Sequence, residues 1–260
     1  MMVPMPDVPL LPIDLDPVFW EPDRLGVLSA WWGHVPFAHW LVAAMRPGLV
    51  VELGTHTGVS YAAFCRAVTE GALPTRCVAI DTWKGDAQAG QYDEVVFEEL
   101  CAWHDGRHAA FSRLLRGEFD MARRLFAPGS IDLLHIDGLH DYASVRHDFE
   151  TWLPAMSARG VVLFHDTEVR DEGFGVWRLW EEVRRRWPSF TFRHGYGLGV
   201  LAVGLEPDAT VAALCTAAGT RDGARIRRMF EVAGERWMAE QALRHAEARQ
   251  AAQVSESNSP

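Results

Sequence analysis

Two stretches of this chain end in residue patterns that do chemistry. Ile131-Asp132-Leu133-Leu134-His135-Ile136-Asp137-Gly138-Leu139-His140 is an apolar run closing on D-G-x-H, and Gly160-Val161-Val162-Leu163-Phe164-His165-Asp166-Thr167 closes on H-D-T. If both runs are neighbouring parallel strands, their ends lie about 5 Å apart, and Asp137 and Asp166 converge. Two carboxylates brought together need a cation or a shared proton. A divalent metal meets that need, and oxygen-rich coordination favours Mg²⁺. Such a metal binds two adjacent substrate oxygens, lowers a hydroxyl pKa and orients it. His140 stands in the loop beside the site, where it is the candidate to take the hydroxyl proton. His135 alternates with Asp137, shares its strand face, and is expected deeper, as packing or support.

A third stretch, Val50-Val51-Glu52-Leu53-Gly54-Thr55-His56-Thr57-Gly58-Val59-Ser60, reads as a strand, a glycine-rich turn and a helix start. This arrangement brings backbone N–H groups and a helix N-terminus close to a ligand. A Cβ at the glycines would hold the ligand away. The spacing is E-x-G-x-x-x-G, which is neither the G-x-G-x-x-G of dinucleotide enzymes nor a phosphate-binding P-loop.

The elements that must position these residues alternate along the chain. Strands are expected at Leu49–Leu53, Arg76–Ile80, Phe111–Leu115, Ile131–Ile136 and Gly160–Phe164. Helices are expected at Ser60–Glu70, Glu94–Trp103, Met121–Phe126, Ser144–Leu153 and Val176–Trp187. Such βα repetition implies a parallel sheet covered by helices on both faces. Phe190–Arg193 and Val200–Val203 are joined by only the short segment 194–199, which permits an antiparallel pair and nothing else. Before the sheet, Leu25–Met45 reads as an aromatic-rich helix containing Trp31, Trp32, Phe37, Trp40 and Leu41. Residues 1–24, with prolines at 4, 6, 9, 12, 17 and 22, read as an extended arm. A helical extension follows over 206–249, broken near Gly219–Gly223, and residues 250–260 read as a disordered tail. Residues 25–205 form the expected catalytic domain.

At 260 residues, 48% hydrophobic and 23% charged, the chain is long enough to bury one large α/β core. A formal net charge of −10 argues against general nucleic-acid binding. Cys65, Cys77, Cys101 and Cys215 are scattered with no C-x-x-C pair, so reduced thiols are expected. No apolar run approaches the ~20 residues that cross a bilayer, and the N-terminus lacks a basic signal-peptide region. The expected location is cytoplasmic, away from membranes.

In an open α/β sheet the ligand lies outside the carboxyl ends of the strands. Those ends carry Glu52 and Gly54, then Asp81, then Glu118 with Phe119, then Asp137, then His165 with Asp166. Asp81, beyond the second strand, is placed to accept hydrogen bonds from ribose hydroxyls, or else to cap backbone locally. Trp83 has a face to stack on a purine, unless it is buried in the core.

Taken together, VELGTHTGVS, AIDTW, IDLLHIDGLHDYASVRHDF and GVVLFHDT resemble class I S-adenosylmethionine (SAM) dependent methyltransferases. Within that class they resemble the group containing metal-dependent macrolide-sugar and rhamnosyl O-methyltransferases and cephalosporin-hydroxylase-like proteins. The resemblance runs from about Trp31 to Val203, two thirds of the chain. It implies a Rossmann-like fold whose mostly parallel seven-stranded sheet ends in an antiparallel hairpin. It implies SAM held by Glu52, Gly54, Thr55, His56, Gly58, Ser60, Asp81, Trp83, Glu118, Phe119 and Asp137. In that reading Glu52 and His56 face the amino-acid end and Glu118 and Phe119 the adenine end.

The same resemblance matches Asp137 and Asp166 to metal ligands, with His165 where relatives often place an acid. An imidazole there suits Mn²⁺, Fe²⁺ or Zn²⁺ better than Mg²⁺. Leu139 occupies the position of a catalytic acid in some relatives, so the catalytic pair is read as His140 with Asp137.

The expected reaction is methyl transfer to a hydroxyl of a sugar-containing or polyol small molecule. The helix bearing Trp31, Trp32 and Trp40 and the loop Gly85–Tyr92 lie on the acceptor side. A homo-oligomer through the N-terminal arm or the C-terminal helices is compatible. Two other classes remain. A non-haem iron oxygenase would use His135, Asp137 and His165 as two histidines and a carboxylate. A catalytically silent binding module would use its C-terminal helices as a partner surface.

Overall fold

The computed structural model describes residues 14–86 and 90–257. Its strands are β1 Leu49–Leu53, β2 Arg76–Asp81, β3 Gly85–Asp86, β4 Gly90–Gln91, β5 Ser112–Arg116, β6 Ile131–Ile136, β7 Met156–His165, β8 Ser189–Phe192 and β9 Leu198–Ala202. The helices are α1 Val35–Met45, α2 Val59–Glu70, α3 Glu94–Asp105, α4 Phe119–Arg123, α5 Tyr142–Trp152, α6 Val176–Val183, α7 Ala209–Ala217 and α8 Arg221–Ser257.

Seven strands form one sheet in the order β5-β2-β1-β6-β7-β9-β8, while β3 and β4 make a small separate ribbon. The pairs among β5, β2, β1, β6 and β7 are parallel. β9 runs antiparallel to both β7 and β8, as the short 194–199 connection requires. β1 and β9 are buried at every residue, the pattern of strands covered on both faces. One face packs Phe37, Trp40, Phe64, Phe192 and Phe230. The other packs Phe149, Trp152, Phe164 and Trp180.

Chain order moves outward from β1 to β2 and β5, then returns to β6 on the other side. This reversal opens a crevice between the carboxyl ends of β1 and β6. The end of β1 is tied to both neighbours: Asp137 N, just after β6, donates to Leu53 O at 2.8 Å, and Gly54 N donates to Ile80 O of β2 at 2.9 Å.

The aromatic segment expected as one helix from Leu25 begins later. Ser29 Oγ accepts from Trp31 N at 3.1 Å and starts a 3₁₀ turn over Ala30–His34, after which α1 follows. α8 crosses that turn at closest approach through Gly234, where a Cβ would stand 2.1 Å from Gly33 O. The C-terminal helix therefore seats the turn that carries Trp31.

Of the tail expected from residue 250, α8 continues through Ser257, and residues 258–260 lie outside the described residues. Gln250, Ala251, Ala252, Gln253 and Glu256 in this stretch are good helix formers, so polar composition alone was a poor guide. Of the expected extended arm, residues 1–13 lie outside the described residues. The remainder is pinned rather than free: Asp23 pairs with Arg66 at 2.8 Å, and Arg24 donates to the Thr57 carbonyl of the glycine loop. Among the described residues no helix is long and apolar enough to cross a membrane.

Candidate active site

The glycine loop is held open by Asp81. Its Oδ2 accepts from Thr55 N at 2.8 Å and His56 N at 2.9 Å, and its Oδ1 accepts from Trp83 N at 2.8 Å. A carboxylate offers about four lone-pair sites, so three are spent on backbone and little is left over for a ribose. Gly54 and Gly58 both adopt left-handed backbone, φ +84°. At Gly54 a Cβ would lie 2.0 Å from Asp137 O, so no side chain fits where β1 and β6 meet. At Gly58 it would strike Leu100.

Asp137, His140 and Asp166 present donor atoms that all lie within 4.8 Å of one another. His140 Nε2 is 3.0 Å from Asp166 Oδ2 and 3.7 Å from Asp137 Oδ1. Asp166 reaches in from a left-handed backbone, φ +60°, immediately after β7. Such strain persists only where surrounding structure imposes it, and it clusters at functional sites. His165 sits behind the cluster, buried. Its Nδ1 faces Asp137 Oδ1 at 3.4 Å and Asp166 Oδ1 at 3.3 Å, while its Nε2 donates to Gly195 O at 3.1 Å.

Burial works against charge throughout this cluster, and mutual pairing overcomes it. Asp137 and Asp166 push His140 and His165 each up to about 10. The imidazoles in turn hold both carboxyls below the ordinary carboxylate range.

The placement corrects the expected roles. The imidazole grouped with the two carboxylates is that of His140, not of His165. His165 instead orients both acids from behind, anchored on the β8–β9 loop. As a general base His140 fits poorly, because an imidazolium has no lone pair to offer and a ligating nitrogen has given its own away. The donor set of two carboxylates and one imidazole suits a divalent cation, with the nitrogen favouring Mn²⁺ or Fe²⁺ over Mg²⁺.

The triad of His135, Asp137 and His165 expected for an iron oxygenase is not assembled. His135 is fully buried and turns Nδ1 to Glu52 Oε2 at 2.8 Å. These two residues are direct neighbours in the β1–β6 register. Glu52 is likewise 0% exposed, and burial raises its pKa. It therefore supports His135 and does not stand open to a ligand's ammonium group, which is a second correction.

Trp83 is a third. It is 1% exposed, lies 4.6 Å from Phe97, and donates from Nε1 to His56 O at 3.0 Å. It braces the loop from beneath and offers no face to a purine. Trp31, Trp32 and Trp40, expected on the acceptor side, are likewise buried in the core.

Two clefts meet at the cluster. The larger, about 810 Å³, runs from Gly54, His56 and Asp81 past Glu118 and Phe119 to Asp148. The smaller, about 310 Å³, includes Thr55 and Ser60 from the loop, Trp31, Asp166, Phe174 and Tyr196. Gly54, His56, Tyr92, Asp137 and His140 line both. His56 stacks on Tyr92, centroids 4.3 Å apart, at this junction. Gly85 and Tyr92 frame the expected acceptor loop, whose residues 87–89 lie outside the described residues.

Sequence reading missed Asp148. It is 7% exposed in the larger cleft, and burial pushes its carboxyl up to about 7 against the opposing effect of His147. A carboxyl raised by folding binds its proton more tightly in the native state than in the unfolded chain. Stability therefore falls as pH climbs from about 4 to about 7. Asp148→Asn should leave stability at pH 4 nearly unchanged and raise it at pH 8 by roughly 1–3 kcal/mol. Thermal melts at both pH values check this, and a variant less stable than the parent at pH 8 would contradict it.

Comparison with known proteins adds the following. Residues 51–167 match the family model described as a methyltransferase domain. An uncharacterised protein of Sinorhizobium fredii is 49% identical over 201 residues, which is 77% of this chain and 22% of that protein. The chain thus spans about a fifth of its curated relative's length. A putative caffeoyl-CoA O-methyltransferase from Staphylococcus aureus superposes with a TM-score of 0.52 at 13% identity, covering 68% of this chain and 85% of that one. The O-methyltransferase TomG from Streptomyces achromogenes, solved in complex with SAM, gives 0.50 at 19% identity, covering 69% and 82%. The fold is the α/β Rossmann-like methyltransferase fold, with the mixed sheet expected from sequence.

Proposed function

We propose that this chain is a SAM-dependent, divalent-metal-assisted O-methyltransferase acting on a hydroxyl of a sugar or other polyol. The observation that carries the reading is the meeting of two clefts at Asp137, His140 and Asp166. One cleft begins at the glycine loop, and the other is a small, aromatic-walled chamber. The family match over 51–167 and the SAM-bound structural relative support the cofactor. Among the described residues no lysine or arginine lines the smaller cleft, which suits an uncharged acceptor.

In this reading SAM fills the larger cleft, with its methionine end at Gly54 and its methyl group directed to the junction. The acceptor enters the smaller cleft past Phe174 and Tyr196, whose faces suit a sugar ring. Asp137, His140 and Asp166 would hold the cation, which when bound lowers the pKa of the acceptor hydroxyl and orients it.

The chain's own part is chiefly positioning. His165 fixes both carboxylates, and the stacked His56 and Tyr92 narrow the passage between the clefts. As the hydroxyl oxygen bonds to the methyl carbon, the carbon–sulfur bond breaks and S-adenosylhomocysteine leaves as a neutral thioether. The hydroxyl proton goes to a carboxylate oxygen at the junction.

Transfer of labelled methyl from SAM to a panel of sugars and polyols, with and without chelator, tests the proposal. Label appearing in the metal-loaded reactions alone supports it. Equal transfer after chelation would remove the metal from the account. A linked effect is expected on loading. His140 carries a proton in the metal-free cluster and must shed it to ligate, so Mn²⁺ binding should release about one proton near pH 7. Calorimetry in two buffers of different ionisation enthalpy reads this directly, and no buffer dependence would contradict ligation by His140.

A further inference from the structure

The segment before the 3₁₀ turn has no task in the scheme above, yet it grips the glycine loop. Arg24 is 7% exposed, and burial lowers its pKa against the opposing field of Glu99. Among the described residues no carboxylate lies within ion-pair distance of its guanidinium. A cation removed from water without an ion pair is costly, so its other contacts must compensate. The guanidinium carbon lies 5.2 Å from the centre of the Trp103 ring, and Nε donates to the Thr57 carbonyl.

Thr57 is held a second time, because its Oγ1 donates to Leu28 O at 3.0 Å. The segment is itself fastened at two points. Gly26 N donates to Gln241 Oε1 of α8 at 2.7 Å, and Trp103 Nε1 of α3 donates to Asp23 O at 3.4 Å. Residues 23–28 thus form a strap from α8 and α3 to the tip of the loop. Ser29 and Ala30, which follow directly, line the smaller cleft together with Thr57.

The loop needs such an outer hold. Asp81 draws in the N–H groups of Thr55 and His56 from one side, and His56 sits in left-handed backbone, φ +48°. That conformation persists only where surrounding structure imposes it. On the other side Arg24 fixes the Thr57 carbonyl, while Gly58 N closes back on Thr55 O at 2.8 Å. A carboxylate and a guanidinium therefore grip the N–H and C=O groups of one short backbone segment. Without the outer grip, the glycine at 58 lets the Thr57–Gly58 peptide turn over.

We propose that Arg24 is a positioning residue for the cofactor, holding the glycine loop in its ligand-binding shape through the Thr57 carbonyl. This inference rests on the assignment of that loop to SAM. Arg24 lines neither cleft, so its effect passes through the loop.

The test titrates S-adenosylhomocysteine and, separately, Mn²⁺ into the full chain by calorimetry, with a melting curve for each variant. Arg24→Met keeps an apolar stem against Trp103 and removes the donor. It should bind S-adenosylhomocysteine about 20-fold more weakly, the scale of one hydrogen bond from a charged group. Its Mn²⁺ affinity should stay within about 2-fold of the parent. Arg24→Lys retains a donor for the Thr57 carbonyl and should recover to within about 5-fold of the parent. Thr57→Val cuts the second tie and should weaken the same ligand about 5-fold.

A lower melting temperature with S-adenosylhomocysteine affinity within 3-fold in Arg24→Met overturns the inference, since Arg24 would then be a strut. Equal loss of both ligands, or a lysine variant no better than the methionine one, overturns it too. If neither Arg24 variant folds, Thr57→Val decides, and parental affinity there is the contrary result. Failure of S-adenosylhomocysteine to bind the parent at all would instead remove the SAM reading on which the inference stands.

Discussion

Gly54→Ala is expected to lose SAM binding by at least about 100-fold and to destabilise the fold by roughly 3–5 kcal/mol. Two costs add. The left-handed backbone at φ +84° disfavours any Cβ, by about 1–2 kcal/mol. That Cβ would also stand 2.0 Å from Asp137 O, 2.5 Å from Asp137 C and 2.8 Å from Gly138 N. All three are backbone atoms, so no rotamer change relieves the overlap. The ends of β1 and β6 must part, and Asp137 moves with them. Gly26→Ala separates the two costs. Its φ is +82°, but nothing lies within 4 Å of the added Cβ. It should lose only about 1–2 kcal/mol and keep its SAM affinity. Melting curves and calorimetry on both variants check the pair. Near-parental SAM binding by Gly54→Ala would mean the glycine loop is not the cofactor's seat.

Asp166→Asn is expected to lower kcat by about 10³-fold, equivalent to roughly 4 kcal/mol of transition-state stabilisation. Asparagine tolerates the left-handed backbone that this position requires, so the change removes charge with little added strain. Metal affinity should fall with activity. SAM affinity should stay within about 3-fold of the parent, because Asp166 lines the smaller cleft and not the larger. Asp137→Asn should behave differently and weaken both metal and SAM, since Asp137 lines both clefts. Steady-state kinetics with metal and SAM titrations distinguish the two variants. If Asp166→Asn retained activity within tenfold, the metal cluster would not be catalytic.

Much of this site could be read from sequence because strand ends declare themselves. Apolar runs closing on Asp137, Asp166 and Gly54 placed those residues on one edge of the sheet, and the short 194–199 connection forced the terminal hairpin. What sequence did not resolve was the direction in which side chains leave that edge. His140 and His165 both sit within three residues of a cluster acid. Which of them joins the acids depends on the turn after β6, where His140 O accepts from Gly175 N at 2.7 Å, and on the Gly195 carbonyl that holds His165 back. Those contacts come from residues distant in the chain.

Glu52 and Trp83 were misread for a related reason. A polar or aromatic residue beside a ligand loop looks like a ligand contact. Here Glu52 is spent on its cross-strand neighbour His135, and Trp83 on the carbonyl of His56. Asp148 did leave a trace in the sequence, an acid at i+3 between Val145 and Phe149 in an otherwise apolar helical stripe. A search restricted to strand ends passes over it.

The most direct test of the account is a calorimetric titration of the chelator-treated protein with SAM, followed by Mn²⁺. The account predicts one SAM site with a dissociation constant on the order of micromolar, already present without metal, and a metal site that Asp166→Asn removes while SAM binding persists. Absence of SAM binding to the intact, folded protein would contradict it, leaving the fold and its acidic cluster to serve some other ligand.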